Sequence, residues 1–169
     1  MRDDGGMAAE RQLIIMRHAK AGELPGGPDI ERALRPRGRK NAESAGQWLA
    51  DHELVPELVL CSKARRARQT WQHVSARLSA QPEVIVDARL YDADAGQLLG
   101  IFAATEPQVT SVMYVGHNPA AAEVTEVLIA EAIAFPTSAI AVIGLVVPWP
   151  ELAGGAGELI ASWTPQAQQ

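Results

Sequence analysis

The chain holds a single cysteine, Cys61, so it can form no internal disulfide, and no Cys/His spacing resembles a zinc site. At the end of an apolar stretch, Cys61 reads as a small buried hydrophobe. A cysteine phosphatase would need an arginine six residues after its thiol. Position 67 is alanine and no glycine-rich cradle follows, so that chemistry fails on spacing. Long apolar runs are missing as well. None approaches the roughly 20 residues that span a bilayer, and the opening MRDDGGMAAE lacks the apolar centre of a signal peptide. A cytoplasmic protein with no membrane partner is the expectation. The last absence is of one charge sign from one half of the chain: all 15 Lys and Arg residues lie at or before Arg89. A net charge of −5 argues against nucleic-acid binding. Two basic clusters, RALRPRGRK and SKARRARQT, nevertheless suit a positive face for a small anion or an acidic protein. Most of their cations are expected to be solvated helix faces.

What is present is an ordinary globular composition, 47 % hydrophobic and 21 % charged. The length suggests one domain able to bury roughly 70 % of its unfolded surface. We expect that domain over residues 12–164, with short tails at 1–11 and 165–169. QLIIMRH reads as a buried strand because its apolar run is continuous rather than alternating. AKAGELPGGPDIERAL is a Gly/Pro-rich loop. Pro36 suits the first turn of a helix, which Ala42, Ala45 and Leu49 continue to about Asp51. ELVLCS is a second strand. Ala64, Ala67, Trp71, Val74 and Leu78 then stripe a helix from about Lys63 to Ser79. EVIVDARLY is extended, and a helix follows around Gly96 to Ala104. SVMYVGH is the second strongly apolar strand, and Asn118–Pro119 reads as a cap with proline at the first helical position. That helix runs to about Glu131. AIAVIGLVV and ELIASW, joined by a turn-rich link, read as an edge hairpin. The order predicts an α/β three-layer sandwich: a mostly parallel central sheet, helices on both faces, and an antiparallel edge strand.

In such folds, ligands bind outside the carboxyl ends of the strands. His18 and His117 both end apolar strands, and Gly116, without a Cβ, leaves room for close approach beside the second. In SKARRARQT the stripe turns Ala64, Ala67 and Trp71 to the core. That leaves Arg66 on a flank at the same edge, where the free N–H groups of the helix start add to the attraction for an anion. Arg65 and Arg68 project elsewhere. Two arginines and two histidines form a phosphate-binding set, because a guanidinium fork meets phosphate oxygens in pairs and a neutral imidazole attacks phosphorus. Charge compensation by these groups needs no metal or other cofactor. His52 at a helix end and His73 two turns beyond Arg66 are expected to stay outside the site.

MRHAK, LRPRG, SKARRARQT and VGHNP, in this order, resemble the histidine phosphatase superfamily. The short length is similar to that of its SixA-type phosphohistidine phosphatases, and the likeness covers roughly residues 12–147. The resemblance implies a phosphoglycerate mutase-like fold, His18 as nucleophile, and Arg17, Arg66 and His117 as the phosphate pocket. The family's first motif usually continues with Gly, where this chain has Ala19. Larger members protonate the leaving oxygen with a mid-chain carboxylate. RLYDAD offers Asp92 in a similar place, with Asp94 second to it, and the plain reading of Asp92 is a turn or cap before the next helix. Asn118 stands where phytase-like relatives carry an Asp, and it cannot donate in the same way. A phosphohistidine substrate needs the acid less, because imidazole is a better leaving group than an alkoxide. The implied activity is a metal-independent phosphatase acting on a phosphohistidine-bearing signalling protein. A small phosphometabolite as substrate, or a phosphate-binding module with little turnover, are the alternatives.

Overall fold

The computed structural model describes residues 10–166. Leu13, Ile14, Ile15 and Met16 have no exposed surface, because the strand that carries them, β1 (Arg11–Arg17), lies inside a six-stranded sheet covered on both faces. The side chains alternate between two cores. Leu13 and Ile15 pack with Leu98, Phe102, Val124 and Leu128 on one face. Ile14 and Met16 pack with Ala42, Leu49, Trp71 and Val74 on the other. At roughly 2 kcal/mol per buried aliphatic side chain, this four-residue run alone anchors β1 firmly.

The remaining elements are α1 (Pro36–Asp51), β2 (Leu58–Ser62), α2 (Arg65–Ser75), β3 (Glu83–Asp87), α3 (Ala95–Ala103), β4 (Ser111–Gly116), α4 (Ala120–Ile129), β5 (Ile140–Leu145) and β6 (Gly157–Trp163). The sheet order is β3-β2-β4-β1-β5-β6. β3, β2, β4 and β1 are parallel, whereas β5 runs antiparallel to both β1 and β6. α1 and α2 cover one face, α3 and α4 the other, giving the expected three layers with a two-stranded antiparallel edge. Gly46 lets α1 approach α2, since a Cβ there would strike the Val74 carbonyl.

Several boundaries differ from the pattern-based ones, each for a local reason. β1 begins at Arg11, inside the expected N-terminal tail, while residues 1–9 and 167–169 of the expected tails lie outside the described residues. α2 stops at Ser75, and Leu78 reaches the core from a turn in which the Arg77 and Leu78 amides bond to the Val74 and Ser75 carbonyls. EVIVDARLY is strand only to Asp87, whose side chain then caps a 3-10 turn at Ala88–Leu90. α4 begins at Ala120 rather than at Pro119; Asn118 and Pro119 lie in a turn, joined by a cis peptide bond. Asn118 keeps part of the expected capping role: its Oδ1 accepts from the Ala122 amide at 3.2 Å.

Candidate active site

Three neighbouring strands end together. β1 and β4 are in register with Arg17 opposite Gly116, so the next residues, His18 and His117, emerge side by side with ring centroids 5.3 Å apart. β2 lies on the other side of β4 and ends at Ser62, whose hydroxyl is 2.8 Å from His117 Nε2. The same hydroxyl accepts from the Ala64 amide at 3.2 Å. α2 then starts at this edge and carries Arg66, which is only 6 % exposed. Arg17, His18, Arg66 and His117 therefore line one cavity of about 430 Å³.

His18 is held from several sides. Its amide donates to Gly116 O at 2.8 Å, and its carbonyl accepts from Ser138 N at 3.1 Å. Its Nδ1 lies 2.8 Å from Ala19 O. A carbonyl only accepts, so the imidazole proton sits on Nδ1 and Nε2 carries the lone pair. Arg66 Nε donates to that lone pair at 3.3 Å. Ala19 needs no glycine here. Its methyl is fully buried in the core on the α1 side of the sheet, and its N–H donates to Thr70 Oγ1 at 2.9 Å. Thr70 in turn donates to Arg66 O at 2.7 Å, so one hydroxyl links the loop after His18 to α2. Gly116 has a steric reason: a Cβ there would collide with the Tyr114 phenol, whose oxygen accepts from His117 N at 3.1 Å. Arg17 Nη1 and Asn118 Nδ2 both donate to Phe135 O, at 3.1 and 2.9 Å. Arg17 Nε and His117 Nδ1 are buried without a hydrogen-bond partner among the described residues, and both belong to side chains lining the cavity.

Burial sets the protonation of both histidines. Desolvation pushes His18 down to about 3 and His117 down to about 4, with Arg66 adding to both shifts. Both rings are neutral near pH 7. Cys61 is buried and pushed up to about 12, which makes it an inert thiol.

Asp92 lies at the margin. It is exposed, lines a smaller cavity of about 250 Å³ beside His117 and Asn118, and raises the His117 pKa by its charge. Asp94 is the cap instead: its Oδ1 accepts from Gln97 N at 2.8 Å, and Gln97 Oε1 accepts from Asp94 N at 2.9 Å. His52 bonds to the Trp48 carbonyl, and His73 pairs with Glu43, both away from the site. Arg65 and Arg68 are exposed.

Asp29, in the Gly/Pro-rich loop, carried no sequence signal, yet it engages Arg66 twice. Arg66 Nη2 donates to its Oδ2 at 3.1 Å, and Nη1 to its carbonyl at 3.0 Å. Tyr91 also donates to Asp29 Oδ2 and stands edge-on to the His117 ring. The Tyr91 hydroxyl, with Arg32 and Arg66, holds Asp29 well below the usual carboxylate range, so it stays ionised. Among the described residues, no group of three or more His, Cys, Asp or Glu side chains could hold a metal ion.

Comparisons with known proteins give the chain's family and fold relatives. The sequence pattern of the histidine phosphatase superfamily (branch 1) matches residues 13–123. An uncharacterized protein of Mycobacterium tuberculosis is 34 % identical over 162 residues, covering 89 % of this chain and all of that protein. An acid phosphatase of the same species is 33 % identical over 103 residues, 58 % of this chain and 46 % of that protein. Among solved structures, a protein from Nakamurella multipartitia provisionally assigned as phosphohistidine phosphatase SixA has a TM-score of 0.83 at 29 % identity, covering 94 % of this chain and 98 % of that one. The protein histidine phosphatase SixA complexed with tungstate gives 0.78 at 29 % identity, covering 89 % of this chain and 95 % of that one. The chain belongs to the histidine phosphatase superfamily, resembles its SixA proteins in sequence and fold, and is a phosphatase.

Proposed function

We propose that the protein is a metal-independent protein phosphohistidine phosphatase of the cytoplasm, working through a phosphohistidine on His18. The observation that carries this reading is the placement of the His18 proton: Nδ1 is tied to Ala19 O, which leaves Nε2 as the attacking atom with Arg66 Nε directed at it. When a phosphoryl group enters, Arg66 Nε passes from the lone pair to a phosphate oxygen. His18 Nε2 then forms a bond to phosphorus as the bond to the leaving nitrogen breaks. Arg17, Arg66 and His117 balance charge on the equatorial oxygens. An incoming phosphate also supplies the negative charge that draws a proton onto His117. The leaving imidazole takes up a proton, from Asp92 or from water. Water next attacks phospho-His18, the P–N bond breaks, and inorganic phosphate departs with Nε2 restored.

A phosphohistidine substrate suits a site whose one candidate acid is exposed at the margin, because its leaving group needs little help. The likeness to a mycobacterial acid phosphatase favours a second reading, a phosphomonoesterase for small molecules. Turnover of an aryl phosphate in EDTA, with acid-labile phosphate trapped on the protein, tests the mechanism. His18→Ala is expected to lose at least about 10³-fold in kcat and all trapped phosphate. Full activity in that variant overturns the assignment, and strict metal dependence overturns the metal-free mechanism.

A further inference from the structure

Lys20 and Arg35 line the same cavity as His18 and Arg66, and neither side chain has a hydrogen bond or ion pair among the described residues. Their placement is built by the backbone. Ala21 and Leu34 form an antiparallel bridge, flanked by Arg35 N–H to Lys20 O at 2.9 Å and Gly22 N–H to Ala33 O at 2.9 Å. Lys20 and Arg35 are therefore cross-strand neighbours. Leu34 points into the core, so the alternation of an extended segment turns Arg35 outward. The ladder sits close against the start of α1, where a Cβ on Gly38 would strike the Lys20 carbonyl.

Like charges directly across a ladder are unfavourable, and an anion shared between them removes that cost. The neighbouring groups do not supply it. Asp29 is taken up by Arg32, Arg66 and Tyr91, and Arg32 is tied to Asp29 Oδ1 at 2.9 Å and to Gly22 O at 3.1 Å. Glu23 also lines the cavity but makes no ion pair with either cation. A single phosphoryl group is already matched by Arg17, Arg66 and the two histidines. We propose that Lys20 and Arg35 form a second anion subsite that binds a separate negatively charged group of the same substrate. The proposal rests on the phosphatase reading for the first site. On a phosphoprotein the second group is an aspartate or glutamate flanking the phosphohistidine; on a small substrate it is a carboxylate or second phosphate.

The test is calorimetric titration of the full chain with two peptides that carry a stable phosphohistidine analogue, one flanked by glutamates and one by glutamines. Phosphoglycolate and methyl phosphate form a matching small-molecule pair. The unaltered protein is expected to bind the glutamate peptide about tenfold more tightly than its neutral partner. Lys20→Gln with Arg35→Gln should erase that preference while leaving the glutamine peptide within about twofold. Preference confined to phosphoglycolate over methyl phosphate keeps the subsite and assigns it to a small substrate. No preference within either pair, or a preference that survives in the double variant, overturns the proposal. Absent aryl phosphate turnover with the preference intact removes the catalytic reading and leaves the subsite standing.

Discussion

At the scale of single residues, Arg66 makes the site a connected unit. Its Nε meets the nucleophile candidate, its Nη1 and Nη2 meet Asp29, and its carbonyl accepts from the hydroxyl that holds Ala19. Burial of the two imidazoles, with Arg66 beside them, has a pH consequence. In the unfolded chain His18 and His117 take up protons below about pH 6.5, whereas in the folded chain they stay neutral down to about 3 and 4. The unfolded state binds more protons throughout that window, so stability falls as the pH drops from 6.5. Between pH 7 and 5 the loss is at most about 2 kcal/mol per histidine. The depressed carboxylates Asp29, Glu57 and Asp87 add to the loss as the pH falls into the ordinary carboxylate range, mostly below about pH 5. Urea unfolding at pH 7 and 5 should show this loss, and His18→Gln should shrink it by about half. An unchanged dependence in that variant would mean that His18 is not the buried neutral ring described. The four principal residues were legible because strand ends and a helix start mark positions by pattern alone. Asp29, Tyr91, Ser62 and Thr70 were not, since loops and side-chain hydrogen bonds leave no period to read.

At the scale of elements, the strand-and-helix alternation predicted the layers, and β1 shows why. A strand buried on both faces has no polar positions, so its sequence names its depth. Patterning could not supply the order in which β4 inserts between β1 and β2, because that depends on pairing between segments nearly a hundred residues apart. Nor could it explain the glycine of LRPRG. The structure does: Gly38 lets the start of α1 sit on the Lys20 carbonyl, immediately after the His18–Ala19 pair. Gly38→Ala should therefore displace the loop that carries the nucleophile candidate. The expected outcome is a loss of about 1–3 kcal/mol in thermal unfolding, with kcat reduced as well. A variant with unchanged melting and kcat would show that the loop is not seated there.

At the scale of the whole molecule, charge and chemistry are divided unequally. Every lysine and arginine comes from the first 89 residues, while β4 brings His117 and β5 and β6 bring apolar support. Each part supplies three of the six strands, but only the first carries cations to the sheet's edge. His18, Ser62 and Arg66, and His117 come from β1, from β2 with the start of α2, and from β4, and the middle strand is the last of the three in the chain. Removing or loosening any one of them dismantles the cradle. An oxyanion seated there thus acts as a clasp across widely separated parts of the sequence, binding the folded form and nothing else. Its free energy of binding adds to that of folding, so tungstate at a hundred times its dissociation constant should contribute about 2.7 kcal/mol. The melting temperature should rise with tungstate concentration in the intact protein and stay flat in Arg66→Ala, turning the pocket at the strand ends into a gauge of whether the sheet has closed correctly.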